Sequence, residues 1–210
     1  MLTLIKREIQ DHLVYFIAAL VCSGLLAIVL TQAVFSYDSR NPPVVAIGLG
    51  VALGAIVTFG ICGMGAGQMY LDKTRRISAF LSMLPVSRSR ILLARIAAGI
   101  LAILILLVPL AITAIFLVRI STPPIPLYSG MVREIFTATF LLALAFYCIG
   151  LQTGWNPSAL APSLGGLGLT CLLVPLVVVK GFGTEIVVIL VSFVAASLLR
   201  TWHNFSSTSL

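Results

Sequence analysis

Residues 13–35 carry no charged side chain. As a helix rising 1.5 Å per residue, this run would be about 35 Å long, enough to cross a hydrocarbon core about 30 Å thick. Residues 44–70, 91–118, 135–152, 158–179 and 186–199 are likewise apolar, with Arg95 the one charged residue inside them, and end in charges or in Pro/Gly turns such as Asn41-Pro-Pro43 and Gly154-Trp-Asn-Pro157. Only 9% of the 210 residues are charged and 60% are hydrophobic. A soluble domain carries about 25% charged residues, so this chain cannot cover a water-facing surface. The expected fold class is all-α, a polytopic membrane protein with six transmembrane helices in one domain over 1–210. The first apolar run exceeds the usual 7–15-residue core of a signal peptide, so it is read as a retained anchor.

The thirteen Lys and Arg against six Asp and Glu leave a net charge of +7. In a membrane chain this excess is read as orientation and contact with anionic lipid, with no nucleic-acid partner. Six spans put Lys6, Arg7, Lys73, Arg75, Arg76, Arg88, Arg90, Arg95 and Arg200 on one side, and Arg40, Arg119, Arg133 and Lys180 on the other. The basic-rich side is expected to be cytoplasmic and to hold both termini.

The spans hold few reactive groups. No Asp, Glu or His lies in the middle third of any span, and His12 and His203 fall outside them. Proton-coupled transport normally needs buried acids or histidines, intramembrane proteolysis a nucleophile with a base, and haem its axial ligands. Lys6, Lys73 and Lys180 do not complete a GxxxxGK phosphate loop. Cys22, Cys62, Cys148 and Cys171 stand alone in apolar stretches and are read as core residues rather than as metal ligands or a disulfide framework. Metal and catalytic residues are therefore expected to be none, and energy for uphill transport would come from another subunit. Arg95, Arg119, Arg133, Glu134 and Glu185 lie at span ends, where long side chains can snorkel to the interface.

Three patterns point further. Leu2, Ile5, Ile9 and Leu13 share one helical stripe, so 2–12 is expected to be an interfacial helix. In the second span Gly50 and Gly54, and Gly63 and Gly67, are four apart, a spacing that lets helix backbones approach closely in lipid. In the loop 71–90, Ile77, Phe80, Leu81 and Leu84 fall at i, i+3, i+4 and i+7. Pro85 ends that short helix, and Ser87 can cap the next one from about Arg88. A helix held there could dock in a partner's groove or lie on the lipid surface.

The run Phe80-Leu-Ser-Met-Leu-Pro-Val-Ser-Arg-Ser-Arg-Ile-Leu-Leu-Ala-Arg95 resembles the cytoplasmic loop between spans two and three of type-2 ABC exporter permeases. Ile5-Lys-Arg-Glu-Ile9 is similar to their N-terminal helix. The resemblance implies a permease subunit that pairs with a second permease copy and with two ATPase subunits, in a bacterial-type inner membrane. It implies that Phe80, Leu81, Leu84, Pro85, Val86, Ser87 and Arg88 form a coupling helix and turn against the ATPase. Asp72, Lys73, Arg75 and Arg76 would form the charged approach. ATP and magnesium would sit on the ATPase, with no cofactor in this chain. The chain departs from the family pattern where a Glu-rich run with a Gly is replaced by Asp72-Lys-Thr-Arg-Arg76, and its outer loops are short. The expected substrate is lipid-like or amphipathic. A non-transporting scaffold that docks a cytoplasmic protein through the same loop is the alternative.

Overall fold

Packing in lipid gains little from hydrophobic burial, so small residues and internal hydrogen bonds decide which helices meet. The computed structural model describes residues 2–35, 44–74, 88–120, 129–155, 168 and 184–207. Among these, all regular structure is helical. The helices are α1 (Leu2–Asp11), α2 (Leu13–Phe35), α3 (Val44–Thr74), α4 (Arg88–Ile120), α5 (Ser129–Trp155) and α6 (Thr184–Ser207). From α2 to α6, five helices are long and apolar enough to cross a membrane. The fifth expected span, 158–179, lies outside the described residues apart from Gly168. The sixth, expected to be as short as 186–199, extends to a candidate span of Thr184–Asn204.

Hydroxyls inside these helices return to the backbone. Thr58, Thr113, Thr153 and Thr201 each donate to the carbonyl four residues earlier, at 2.8, 2.8, 2.8 and 2.9 Å. This satisfies a polar group where lipid offers no partner. Pro109 sits inside α4 without breaking it.

The centre of the bundle is α5, where every residue from Leu144 to Leu151 is buried. It packs against α3, α4 and α6, and its Leu144, Tyr147, Cys148 and Leu151 share a core with Met69, Leu92, Ile103 and Val194. Helix directions are set by which residues meet. Tyr15 approaches Gly67 and Val29 approaches Gly50, so α2 and α3 are antiparallel. Cβ atoms built at Gly150 and Gly154 would meet Cys62 and Ala66, so α3 and α5 are parallel. Gln152 meets Ser197, while Leu141 and Leu142 pack on Ile186 and Leu190, so α5 and α6 are also parallel. The C-terminal ends of α3, α5 and α6 and the N-terminal ends of α2 and α4 therefore share one face.

The close-packed glycines are not the four expected from spacing. Nothing lies within 4 Å of a Cβ placed at Gly54 or Gly63, while Gly50 faces Val29 and Gly67 faces the Tyr15 hydroxyl at ordinary contact distance. Backbone meets backbone at Gly65, Gly150 and Gly154, where an added Cβ would overlap the facing helix. The stripe expected for α1 is also redrawn. Ile9 packs on Phe16, Met64, Ala98 and Ala102, but Leu13 is 51% exposed.

Candidate functional site

The face shared by the ends of α3 and α4 gathers most of the buried polar side chains among the described residues, namely His12, Gln68, Arg95, Ser197 and Thr201, while Ser23 lies apart in the middle of α2. Arg95, two turns into α4, does not snorkel as expected; it is only 3% exposed. Its side chain turns inward because α1 supplies an acid. Arg95 Nε lies 3.4 Å from Glu8 Oε1, and its Nη1 lies 3.6 Å from Met69 Sδ on α3. The other Glu8 oxygen is 3.7 Å from His12 Nε2. One carboxylate thus stands between a guanidinium and an imidazole, and it ties α1 to α4.

His12 comes just after the end of α1 and is buried, although it lies outside the apolar spans. Burial pushes its imidazole below the ordinary value, since a charged ring loses its hydration. Glu8 and Asp11 oppose that shift, and Arg95 adds to it.

A second tie lies beneath the first. The Tyr147 hydroxyl of α5 is 2.9 Å from the Arg95 carbonyl and 2.6 Å from Gln68 Oε1 on α3. It reaches them because its ring lies across Gly99, where any Cβ would collide with it. A phenol has one proton and cannot donate to both oxygens. Gln68 Nε2 is buried and has no partner among the described residues. Turning the amide over satisfies both groups: Nε2 donates to the phenol oxygen, and the phenol donates to Arg95 O. The unpaired atom is then a carbonyl oxygen, which proteins tolerate better than an unpaired N–H.

On the same face, Gln152 Nε2 donates to Ser197 Oγ at 2.6 Å and to Ser197 O at 3.1 Å, which joins α5 to α6. Every long helix except α2 thus enters a side-chain hydrogen bond to another helix at this end. These contacts tie α1, α3, α4, α5 and α6 together beside the ends of α3 and α4.

The expected docking residues fall mostly beyond what the structure describes. Arg75, Arg76, Phe80, Leu81, Leu84, Pro85, Val86 and Ser87 lie outside the described residues. Asp72 and Lys73 belong to the last turn of α3, and Arg88 opens α4. Glu8, His12, Gln68, Met69 and Tyr147 are not singled out by sequence. A signal exists at the end of α1, where Glu8 and His12, the residue just after the helix, are four apart. Another exists in α5, where Gly150 and Gly154 have the same spacing as the glycine pairs of the second span. Compared with known protein families, with curated proteins and with solved structures, the chain matches none.

Proposed function

We propose that this chain is the transmembrane permease subunit of an ATP-binding-cassette exporter, with six spans and both termini in the cytoplasm. Two copies, or one copy with a similar permease, pair with two ATPase subunits that bind ATP and magnesium. The loop 71–90 docks on the ATPase, and a lipid-like or amphipathic substrate passes between the permease subunits. The carrying observation is the loop pattern itself, with its apolar face at Phe80, Leu81 and Leu84, then Pro85-Val-Ser-Arg88. Its setting supports the reading. The loop leaves α3 six residues after Gln68 and rejoins α4 seven residues before Arg95. A push on it would bear on a joint that holds α1, α3, α4 and α5. The parallel run of α5 and α6 supports six spans, since residues 155 and 184 stand on opposite faces of the bundle.

Co-purification of the full chain with an ABC-type ATPase found encoded beside its gene tests the proposal, and absence of such a gene favours the scaffold reading. Leu84→Asp places a charge on the docking face and is expected to abolish both association and stimulation of ATP hydrolysis. Survival of both would reject the coupling role. A wild-type chain that binds a cytoplasmic protein without stimulating ATP hydrolysis would favour the scaffold.

A further inference from the structure

Helices α2 and α3 approach each other at Tyr15 against Gly67 and at Val29 against Gly50. Between these contacts α2 presents small side chains, while α3 has Gly60 set among the larger Ile56, Val57 and Ile61. Ala18, Ala19 and Cys22 of α2 look across at Gly60 of α3, and a cavity of about 120 Å³ opens there. Its floor is formed by Met64 of α3 with Ala102 and Leu106 of α4, at 3%, 6% and 3% exposure. Its mouth lies on the outer surface of the bundle, where Ala18, Ile56 and Gly60 are exposed. Exposed Ile17 and Phe59 neighbour those mouth residues in sequence. No charged side chain is among its lining residues.

We infer that this hollow is a binding site for one acyl chain of a membrane phospholipid. An apolar cavity of about 150 Å³ in a soluble protein stays dry and takes up benzene. Water is therefore not the expected occupant of a hollow this apolar. From Tyr15 to Cys22 the hollow runs beside α2 for about 10 Å, so an occupant lies along the helix, as lipid chains do in a bilayer. Tyr15, at the end nearest the polar face, carries a hydroxyl suited to the headgroup boundary. The mouth faces the medium that covers Ile17 and Phe59, and in a membrane that medium is acyl chain. The inference needs the membrane setting alone and is independent of any ATPase.

The full chain is reconstituted in phosphatidylcholine vesicles that contain a phospholipid with a diazirine on its acyl chain. After irradiation, labelled residues are mapped by mass spectrometry. Exposed Leu20, Val21 and Ile28 report ordinary surrounding lipid. Met64, Ala102 and Leu106 can be labelled only by a chain that enters the hollow. Both groups are expected to be labelled in the wild type. Gly60→Leu grows into open space, since nothing lies within 4 Å of its Cβ position. It should lower labelling of the floor by about tenfold or more, the discrimination typical of a filled apolar pocket. Ala18→Leu, at the mouth, should do the same and serves as the second variant. Label on the surface residues alone overturns the site, as does floor labelling that neither variant changes. Floor labelling by a free diazirine alkanol but not by the phospholipid would assign the hollow to a small amphiphile and overturn the lipid assignment. No label on either group would overturn the membrane setting together with the site.

Discussion

A guanidinium keeps its charge in any protein environment, so a buried arginine dictates what surrounds it. Arg95 meets this demand through Glu8, 87 positions away in the chain. The pair is 3.4 Å long, and Glu8 remains 19% exposed, so it is weaker than a fully enclosed bidentate pair. Losing the acid costs more than the pair itself contributes, because the buried charge stays behind. Glu8→Ala takes the carboxylate away from the guanidinium and should cost about 1–3 kcal/mol, read as a lower Tm in detergent. Replacing both partners with apolar residues of similar length, as in Glu8→Leu with Arg95→Met, should restore most of that loss. If the double variant is no more stable than Glu8→Ala, Arg95 holds α4 through other partners. His12 adds a dependence on pH. Its imidazole is held below the ordinary value of about 6.5, so the folded chain prefers the neutral ring. Near that value an unfolded chain binds more protons than the folded one, and stability therefore rises with pH. The contribution is complete above about pH 6.5 and is lost as pH falls through the lower folded value. A His12→Gln variant should show a shallower decline in Tm between about pH 7 and pH 5.5 than the wild type. Equal slopes would remove His12 from the joint.

At the scale of elements, two parallel helices that are not sequence neighbours, α3 and α5, meet backbone to backbone. Gly65 faces Tyr147 and Leu151, while Gly150 and Gly154 face Cys62 and Ala66. A side chain at either α5 position must displace main chain, and main chain yields less readily than a flexible side chain. Gly150→Leu and Gly154→Leu are each expected to destabilise by about 1–3 kcal/mol or more through overpacking. Gly54→Ala and Gly63→Ala meet open space and should instead gain up to about 1 kcal/mol from helix propensity. Thermal unfolding of the four variants would decide between them. A loss at Gly54 or Gly63 comparable with that at Gly150 would mean that another surface covers α3. The rule that glycines four apart mark close packing is sound. Periodicity alone does not say which of three such pairs faces a neighbour.

For the whole molecule, direction is the informative property. Helices α5 and α6 run the same way, so Trp155 and Thr184 stand at opposite faces of the bundle. Trp155→Cys and Thr184→Cys should therefore react with an impermeant maleimide from opposite sides of sealed vesicles. Labelling of both from one side would contradict the parallel packing and a six-span topology. The same directions place Glu8, His12, Gln68, Arg95, Tyr147 and Gln152 on one face. This convergence depends on how four helices, α1, α3, α4 and α5, associate.

Five long apolar helices among the described residues are legible in the sequence. Scarcity of charge forces backbone groups to be satisfied within each segment, and turn residues mark where segments stop, so 13–35 and α2 coincide. The sequence also placed Arg95 near a span end and marked the loop 71–90 as unlike the rest. Tertiary structure decided what Arg95 does there, which glycines touch, and that α5 is central. Those outcomes depend on the rotation and neighbour of each helix. In a chain apolar on nearly every face, local pattern leaves that rotation open, and a few long-range contacts fix it: an acid against Arg95, a phenol across Gly99, and main chain against Gly150.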